Sequence, residues 1–335
     1  MTDGRALVVR GPGELGIEAV SEALPLVHGE ALIEVAFAGV CGSDRELVAG
    51  TRDPRFVRYP IVPGHEWSGT VVALGPGTDS QLLGRKVVGE GFRYCGACSA
   101  CRSGATNLCH AGYDETGFTR PGACADLLRV PARLLHILSD DSDLRAAALL
   151  EPAACVAAAV LAVGVSPGER IAVVGGGTLG LLATQLLAAY SPAELIVIDP
   201  RPRRIAVESG ASDQRTPEQA SVLAAQFDLV VEAAGAHGSG RLALDLVRRG
   251  GRVALTGLHG GEDVTIAPAE LVSSAVTIHT VFGAASNAWT YAVRALTTGA
   301  LLPGLLIGDE YELDKAARVL TSDAPRPSGK VLFHP

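Results

Sequence analysis

The chain has 335 residues, 48% of them hydrophobic and 19% charged, and a net charge of −8. That length allows about two domains with a core each, and the composition excludes a disordered chain. The acidic balance leaves no face to neutralise phosphates, which excludes a nucleic-acid partner, and no membrane span is expected because Glu151 and Pro152 break the most apolar stretch, 146–165.

Residues 1–10 carry no apolar run after a basic start, so no export signal is read and the cytoplasm is the expected compartment. To about residue 130 the sequence is rich in Gly and Pro with short β-branched runs. Strands are predicted over 31–38, 69–74 and near 85–88, the pattern of an irregular, mostly β domain. An Ala-rich helix is predicted over 145–163, and Pro167-Gly168 turns the chain. Alternation follows. Strands at 171–174, 195–199, 228–232 and 252–256 are separated by helices at 178–190, 203–209 and 239–247, with a last strand at 276–282. This spacing builds βαβ units around a parallel sheet. The fold class is therefore α/β: a Rossmann doubly wound parallel-sheet domain plus an irregular, mostly β domain. The expected division is 1–150 with 284–335 against 151–283.

Gly175, Gly177 and Gly180 form G-x-G-x-x-G directly after the strand at 171–174 and at the start of a helix. Gly175 permits the tight turn, Gly177 lets the backbone approach a pyrophosphate, and Gly180 lets helix and strand pack. The helix N-terminus, beginning Thr178-Leu179, offers amide N–H groups to the phosphates. Asp199 ends the next strand, where its carboxylate can accept from an adenosine ribose and repel a 2′-phosphate, which favours NAD. The cluster Arg201, Arg203 and Arg204 argues for NADP. The candidate cofactor-binding set is Gly175, Gly177, Thr178, Leu179, Gly180, Asp199 and Arg204.

Cys95, Cys98, Cys101 and Cys109 read C-x2-C-x2-C-x7-C, inside a lobe at 93–110. Four thiolates this close can close a tetrahedron round one zinc ion with no open position, a structural site. Iron–sulfur ligation is the rival reading, and disulfides are not expected in a reducing compartment. A second set is Cys41, His65, Glu66 and Glu151. One thiolate, one imidazole and a carboxylate can hold zinc with a position left for water or substrate. Taken singly, each of these residues has an ordinary core or surface reading.

Val40-Cys41-Gly42-Ser43-Asp44, Pro63-Gly64-His65-Glu66, the four-cysteine lobe, Leu150-Glu151-Pro152, the glycine loop and the closing Ser328-Gly329-Lys330-Val331 occur in that order. In this the chain resembles the zinc-containing medium-chain dehydrogenase/reductase superfamily over nearly its whole length. Glu151 stands where alcohol dehydrogenases proper use cysteine, a likeness to the polyol branch of sorbitol and threonine dehydrogenases. The stretches 64–70 and 117–125 are similar to the 2-deoxy-scyllo-inosamine dehydrogenases of aminoglycoside biosynthesis.

The resemblance implies a GroES-like catalytic domain and two zinc ions per chain. It implies hydride transfer between NAD and a secondary alcohol of a polyol, cyclitol or amino-alcohol, and a homodimer or homotetramer. Cys41 and His65 would be constant zinc ligands, with Glu66 and Glu151 both available as the carboxylate. Asp44 would hold the His65 tautomer, and Ser43 would pass on the proton of the reacting hydroxyl. The departure is Glu46, where many polyol-branch enzymes have histidine. Trp67 and Phe118 are candidate pocket walls, with core packing the other reading. Two competing functions are a non-catalytic NAD-binding protein and a zinc-free reductase of the same fold.

Overall fold

In a computed structural model, residues 3–21, 25–257, 265–321 and 329–335 are described. They divide into two units, Met1–Glu151 with Ile307–Pro335, and Pro152–Leu306.

In the first unit, strands β1 (Asp3–Gly11) and β2 (Glu14–Ser21) form a hairpin. Then come β3 (Glu30–Gly39), β4 (Glu66–Leu74), β5 (Lys86–Gly89), β6 (Leu127–Pro131) and β7 (Leu135–Ile137). The second unit holds β8 (Arg170–Val174), β9 (Glu194–Ile198), β10 (Asp213–Arg215), β11 (Phe227–Glu232), β12 (Val247–Leu255) and β13 (Thr277–Thr280). The chain then returns to the first unit with β14 (Ile307–Glu312) and β15 (Lys330–His334).

The first unit's large sheet runs β14-β15-β3-β4-β5-β7, with β6 also paired to β3. The apolar residues of β3 make it central: Ile33, Val35 and Ala38 are buried with Leu7, Val71, Val87, Leu128 and Phe333. β4 begins at Glu66, three residues before the strand expected at 69. Glu66 is thereby locked opposite Gly39 of β3.

The second unit's sheet runs β10-β9-β8-β11-β12-β13, all parallel. Its central strands are continuous apolar runs, as burial on both faces requires. The expected Ala-rich helix is split in two, Leu144–Ala147 and Leu150–Val163. Residues 284–306, expected with the first domain, pack with the second unit instead. The physical reason is the helix Ser286–Thr297, which buries Ala288, Trp289 and Ala292. The Gln185 side chain then clamps Leu302, donating to its carbonyl at 3.2 Å and accepting from its N–H at 2.7 Å. Among the described residues no helix is long and apolar enough to cross a membrane.

Trp289 is 2% exposed. Trp289→Ala should destabilise the second unit by about 3–5 kcal/mol, the scale for deleting a buried aromatic. A chemical-denaturation curve that does not shift would show that this helix is peripheral to that core.

Candidate active site

The helix Gly42–Ala49 begins at the end of β3, with Cys41 as its N-cap. The Cys41 backbone N–H donates to Asp44 Oδ2 at 2.8 Å, so Asp44 fixes the turn that presents the thiol. Asp44 Oδ1 in turn faces His65 Nδ1 at 3.4 Å. The other ring nitrogen, Nε2, lies 4.0 Å from Glu66 Oε1. Cys41 Sγ, a His65 ring nitrogen and a Glu66 carboxylate oxygen all fall within 4.8 Å of one another. His65, Glu66 and Asp44 are buried. Burial favours neutral His65, but Asp44 and Cys41 outweigh it and hold its pKa well above the ordinary value. Burial likewise raises Asp44, yet His65 and the Cys41 N–H bring it below the usual carboxylate range.

The carboxylate of Glu66 has a partner that sequence reasoning passed over. Lys330 Nζ lies 2.5 Å from Glu66 and donates to Oε1. Both side chains are buried, 6% and 1% exposed. Gly39 makes room for the pair: a Cβ there would sit 2.4 Å from Glu66 Oε2 and 3.2 Å from Lys330 Cε. Burial alone would lower the Lys330 pKa, but the charges of Glu66, Cys41 and Asp44 more than reverse this. Asp44 Oδ1 and His65 Nδ1 have no hydrogen bond of proper geometry among the described residues, and Glu66 Oε2 has the ion contact with Lys330 Nζ at 2.5 Å. Soft sulfur, imidazole nitrogen and a carboxylate form a donor set that fits zinc.

The structure does not bring every expected ligand together. Glu151 lies half-buried in the first turn of Leu150–Val163 and is not part of the converging set. Ser43 is close, its Oγ 3.8 Å from Cys41 Sγ. Glu46 is exposed on the same helix. Trp67 follows Glu66 on β4, so the two side chains leave opposite faces of the strand. Trp67 belongs to the core and packs where Gly89 leaves space. Phe118 does reach the cluster, its ring 4.7 Å from that of His65.

In the lobe, the sulfurs of Cys95, Cys98, Cys101 and Cys109 gather within 4.8 Å of one another, and none forms a disulfide. Backbone N–H groups aim at them: Ala97 and Cys98 at Cys95, Cys101 and His110 at Cys98, Ala111 and Cys95 at Cys109. Donation from Cys101 and His110 lowers the Cys98 thiol to about 6, while burial pushes Cys101 up to about 12. Four converging sulfurs fed by amides suit a closed tetrahedral metal site.

In the second unit, Gly175 adopts φ +108°, and a Cβ there would meet the backbone of Ala234 at 2.8 Å. A Cβ on Gly180 would lie 1.8 Å from the Gly175 carbonyl oxygen. A Cβ on Gly177, N-cap of Thr178–Ala188, would meet nothing within 4 Å. The helix N-terminus therefore faces open space, a cradle that fits a pyrophosphate. Thr178 and Leu179 stand half-buried at its rim. Asp199 accepts from the N–H of Gly176 and of Arg201, each at 2.8 Å. Arg203, not Arg204, folds onto this loop and donates to the Gly176 carbonyl at 2.5 Å. Arg204 points outward, its side chain 91% exposed and paired with Glu208 at 3.0 Å.

Comparison with known proteins agrees with both units. Residues 27–140 match the model of the alcohol dehydrogenase GroES-like domain, and 178–298 that of the zinc-binding dehydrogenase. The chain is 33% identical to L-galactonate-5-dehydrogenase of Escherichia coli, over 78% of each chain. The chain belongs to the zinc-containing medium-chain dehydrogenase/reductase superfamily. Within it, sorbitol dehydrogenase of Bacillus subtilis is 28% identical over 93% of this chain and 91% of its own. A structure described as a zinc-binding dehydrogenase of Sinorhizobium meliloti bound to NADP superposes with a TM-score of 0.92, at 27% identity and full coverage of both chains. This dehydrogenase is accordingly an oxidoreductase of the alcohol dehydrogenase type, in the polyol branch.

Lys330 yields a test of how the dehydrogenase holds Glu66. Removing one partner of a buried ion pair costs about 3–5 kcal/mol, because the other charge stays buried and unmatched. Lys330→Met should therefore lower the melting temperature of the zinc-free protein sharply, and that of zinc-loaded protein less. Equal losses in the two forms would show that Lys330 only fills space.

Proposed function

We propose that this dehydrogenase oxidises a secondary alcohol of a hydroxyl-rich, open-chain substrate to the ketone, with NAD as hydride acceptor, or runs the reverse reduction. The observation that carries this reading is the convergence of Cys41, His65 and Glu66 within one buried cluster. A zinc ion held there would supply the Lewis acidity that lets an alcohol proton leave near neutral pH, and NAD would take up the hydride. Asp44 faces the far ring nitrogen of His65 and fixes its orientation. Lys330 holds Glu66 on the cluster's edge through a buried ion pair. Glu151, outside the converging set in this structure, would be the alternative carboxylate. The Ser43 hydroxyl both accepts and donates, and passes the proton outward without carrying charge. Exposed Glu46 leaves water as the end of the path. The cysteine lobe takes a second, structural zinc.

Asp199 supports NAD over NADP, since a carboxylate beside the glycine loop repels a 2′-phosphate. The substrates named for the relatives, sorbitol and L-galactonate, support an open-chain polyol reading over the aminocyclitol one. β13 is an open edge of the parallel sheet and the natural seam for pairing two copies into a homodimer.

Elemental analysis should find two zinc ions per chain. Cys41→Ser should reduce this to one and abolish turnover. Cys98→Ser should also leave one, but with the fold destabilised. Iron and sulfide in the preparation would overturn the zinc assignment of the lobe.

Ser43→Ala should cut kcat by about 10²-fold, the usual scale for a proton-transfer group, while Glu46→Gln changes kcat and its pH profile little. If Glu46→Gln matched the loss from Ser43→Ala and removed a limb of that profile, Glu46 would be the end of the relay.

A further inference from the structure

A fixed cation stands one aromatic ring away from His65. Arg52 follows the helix Gly42–Ala49, and its guanidinium lies over the Phe118 ring, with Cζ 3.7 Å from the centroid. Phe118 in turn packs on His65. Two hydrogen bonds set the guanidinium's orientation. Nε donates to the Phe56 carbonyl at 3.1 Å and Nη2 to the Tyr113 hydroxyl at 3.1 Å. The Tyr113 hydroxyl in turn donates to Glu115 Oε2 in a short hydrogen bond. Rings of Phe56 and Phe92 hold Tyr113 edge-on, at 4.9 and 5.9 Å. Arg52 is thus ordered before any ligand arrives, and a ligand need not spend affinity on ordering it.

The same geometry leaves donors over. Nη1 of Arg52 makes no hydrogen bond among the described residues, and the side chain is only half-buried. The nearby carboxylate, buried Glu115, reaches Arg52 through the Tyr113 hydroxyl rather than by a direct ion pair among the described residues. A guanidinium is always charged, and its planar fork matches carboxylate and phosphate oxygens. In a chain with net charge −8, a pre-ordered cation beside the reaction centre is an addition that local solubility does not require.

We propose that Arg52 is a specificity-determining residue that selects alcohols bearing an acidic substituent, a carboxylate or a phosphate. This rests on the dehydrogenase reading above and names the substrate class within it. The acid group sits against the free edge of the guanidinium, while the secondary alcohol reaches the Cys41, His65 and Glu66 cluster. An ammonium substituent has the wrong sign for this place, so amino-alcohols are disfavoured.

The test uses the zinc-loaded full chain and four substrates of one carbon skeleton: an aldonate, an alditol phosphate, the neutral alditol and an amino-alditol. Wild type should have the highest kcat/KM on one of the two acids, and which one identifies the acid. Arg52→Met should lower the ratio of acid to neutral kcat/KM by about 10- to 100-fold, the scale of one charged hydrogen-bonded contact, with the loss mainly in KM. Arg52→Lys, which keeps charge without the fork, should recover part of it and guards against misfolding. A wild-type preference for the neutral or amino substrate, or an equal loss on acid and neutral substrates, would overturn the proposal and leave Arg52 as a strut between loops. Calorimetric titration of each protein with the aldonate gives a second readout. If no alcohol turns over with either nicotinamide cofactor, the dehydrogenase reading fails, and Arg52-dependent binding of the aldonate still decides this proposal.

Discussion

Charge inside the first unit has to be balanced within a few ångströms, and most of what surrounds the cluster follows from that. Unmatched charges cost several kcal/mol each in a low-dielectric interior. Asp44 answers His65, and Lys330 answers Glu66. Asp44 also holds Cys41 in place, through its backbone N–H. Topology is recruited to the same end. Lys330 comes from β15, 264 residues after its partner, and reaches it across β3. The return of the chain at Ile307 is therefore part of building the site as well as of closing a sheet.

How much of this could be read from sequence depended on how compactly each function is written. The glycine loop and the cysteine lobe are short contiguous strings; in the structure the four sulfurs converge and the glycines shape the turn before Thr178–Ala188. Cys41, His65 and Glu66 come from two segments, each with a recognisable local pattern, and they too converge. Lys330 was visible within Ser328-Gly329-Lys330-Val331, but nothing local marks a lysine as the counter-charge of a residue so far away. Of the two readings open for Trp67, pocket wall or core, the structure takes core packing. A strand expected to start only at 69 leaves out the alternation that puts Glu66 and Trp67 on opposite faces. The tail from 284 is expected with the first domain because a buried stripe such as Ala288, Trp289 and Ala292 of Ser286–Thr297 does not say in sequence which core it faces.

The two units solve the problem of holding a ligand in different ways. In the lobe, backbone amides converge on sulfur and favour the thiolate form, so loop shape and metal affinity are one property. In the glycine loop the backbone is held open instead, by residues whose side chains would collide with each other or with the helix. Among the loop's glycines, only Gly177 faces empty space.

Asp199 joins these two kinds of constraint. Its oxygens already accept from Gly176 and Arg201, and Arg203 grips the Gly176 carbonyl from the other side. The residue that would read the ribose under the NAD reading proposed above is thus also a clasp on the glycine loop. On that reading, drift toward the phosphorylated dinucleotide would not proceed through this position alone, because losing the carboxylate would also remove the acceptor of the Gly176 N–H. A lineage making that change would first need another acceptor for the Gly176 N–H, so the order of the substitutions is constrained as well as their identity.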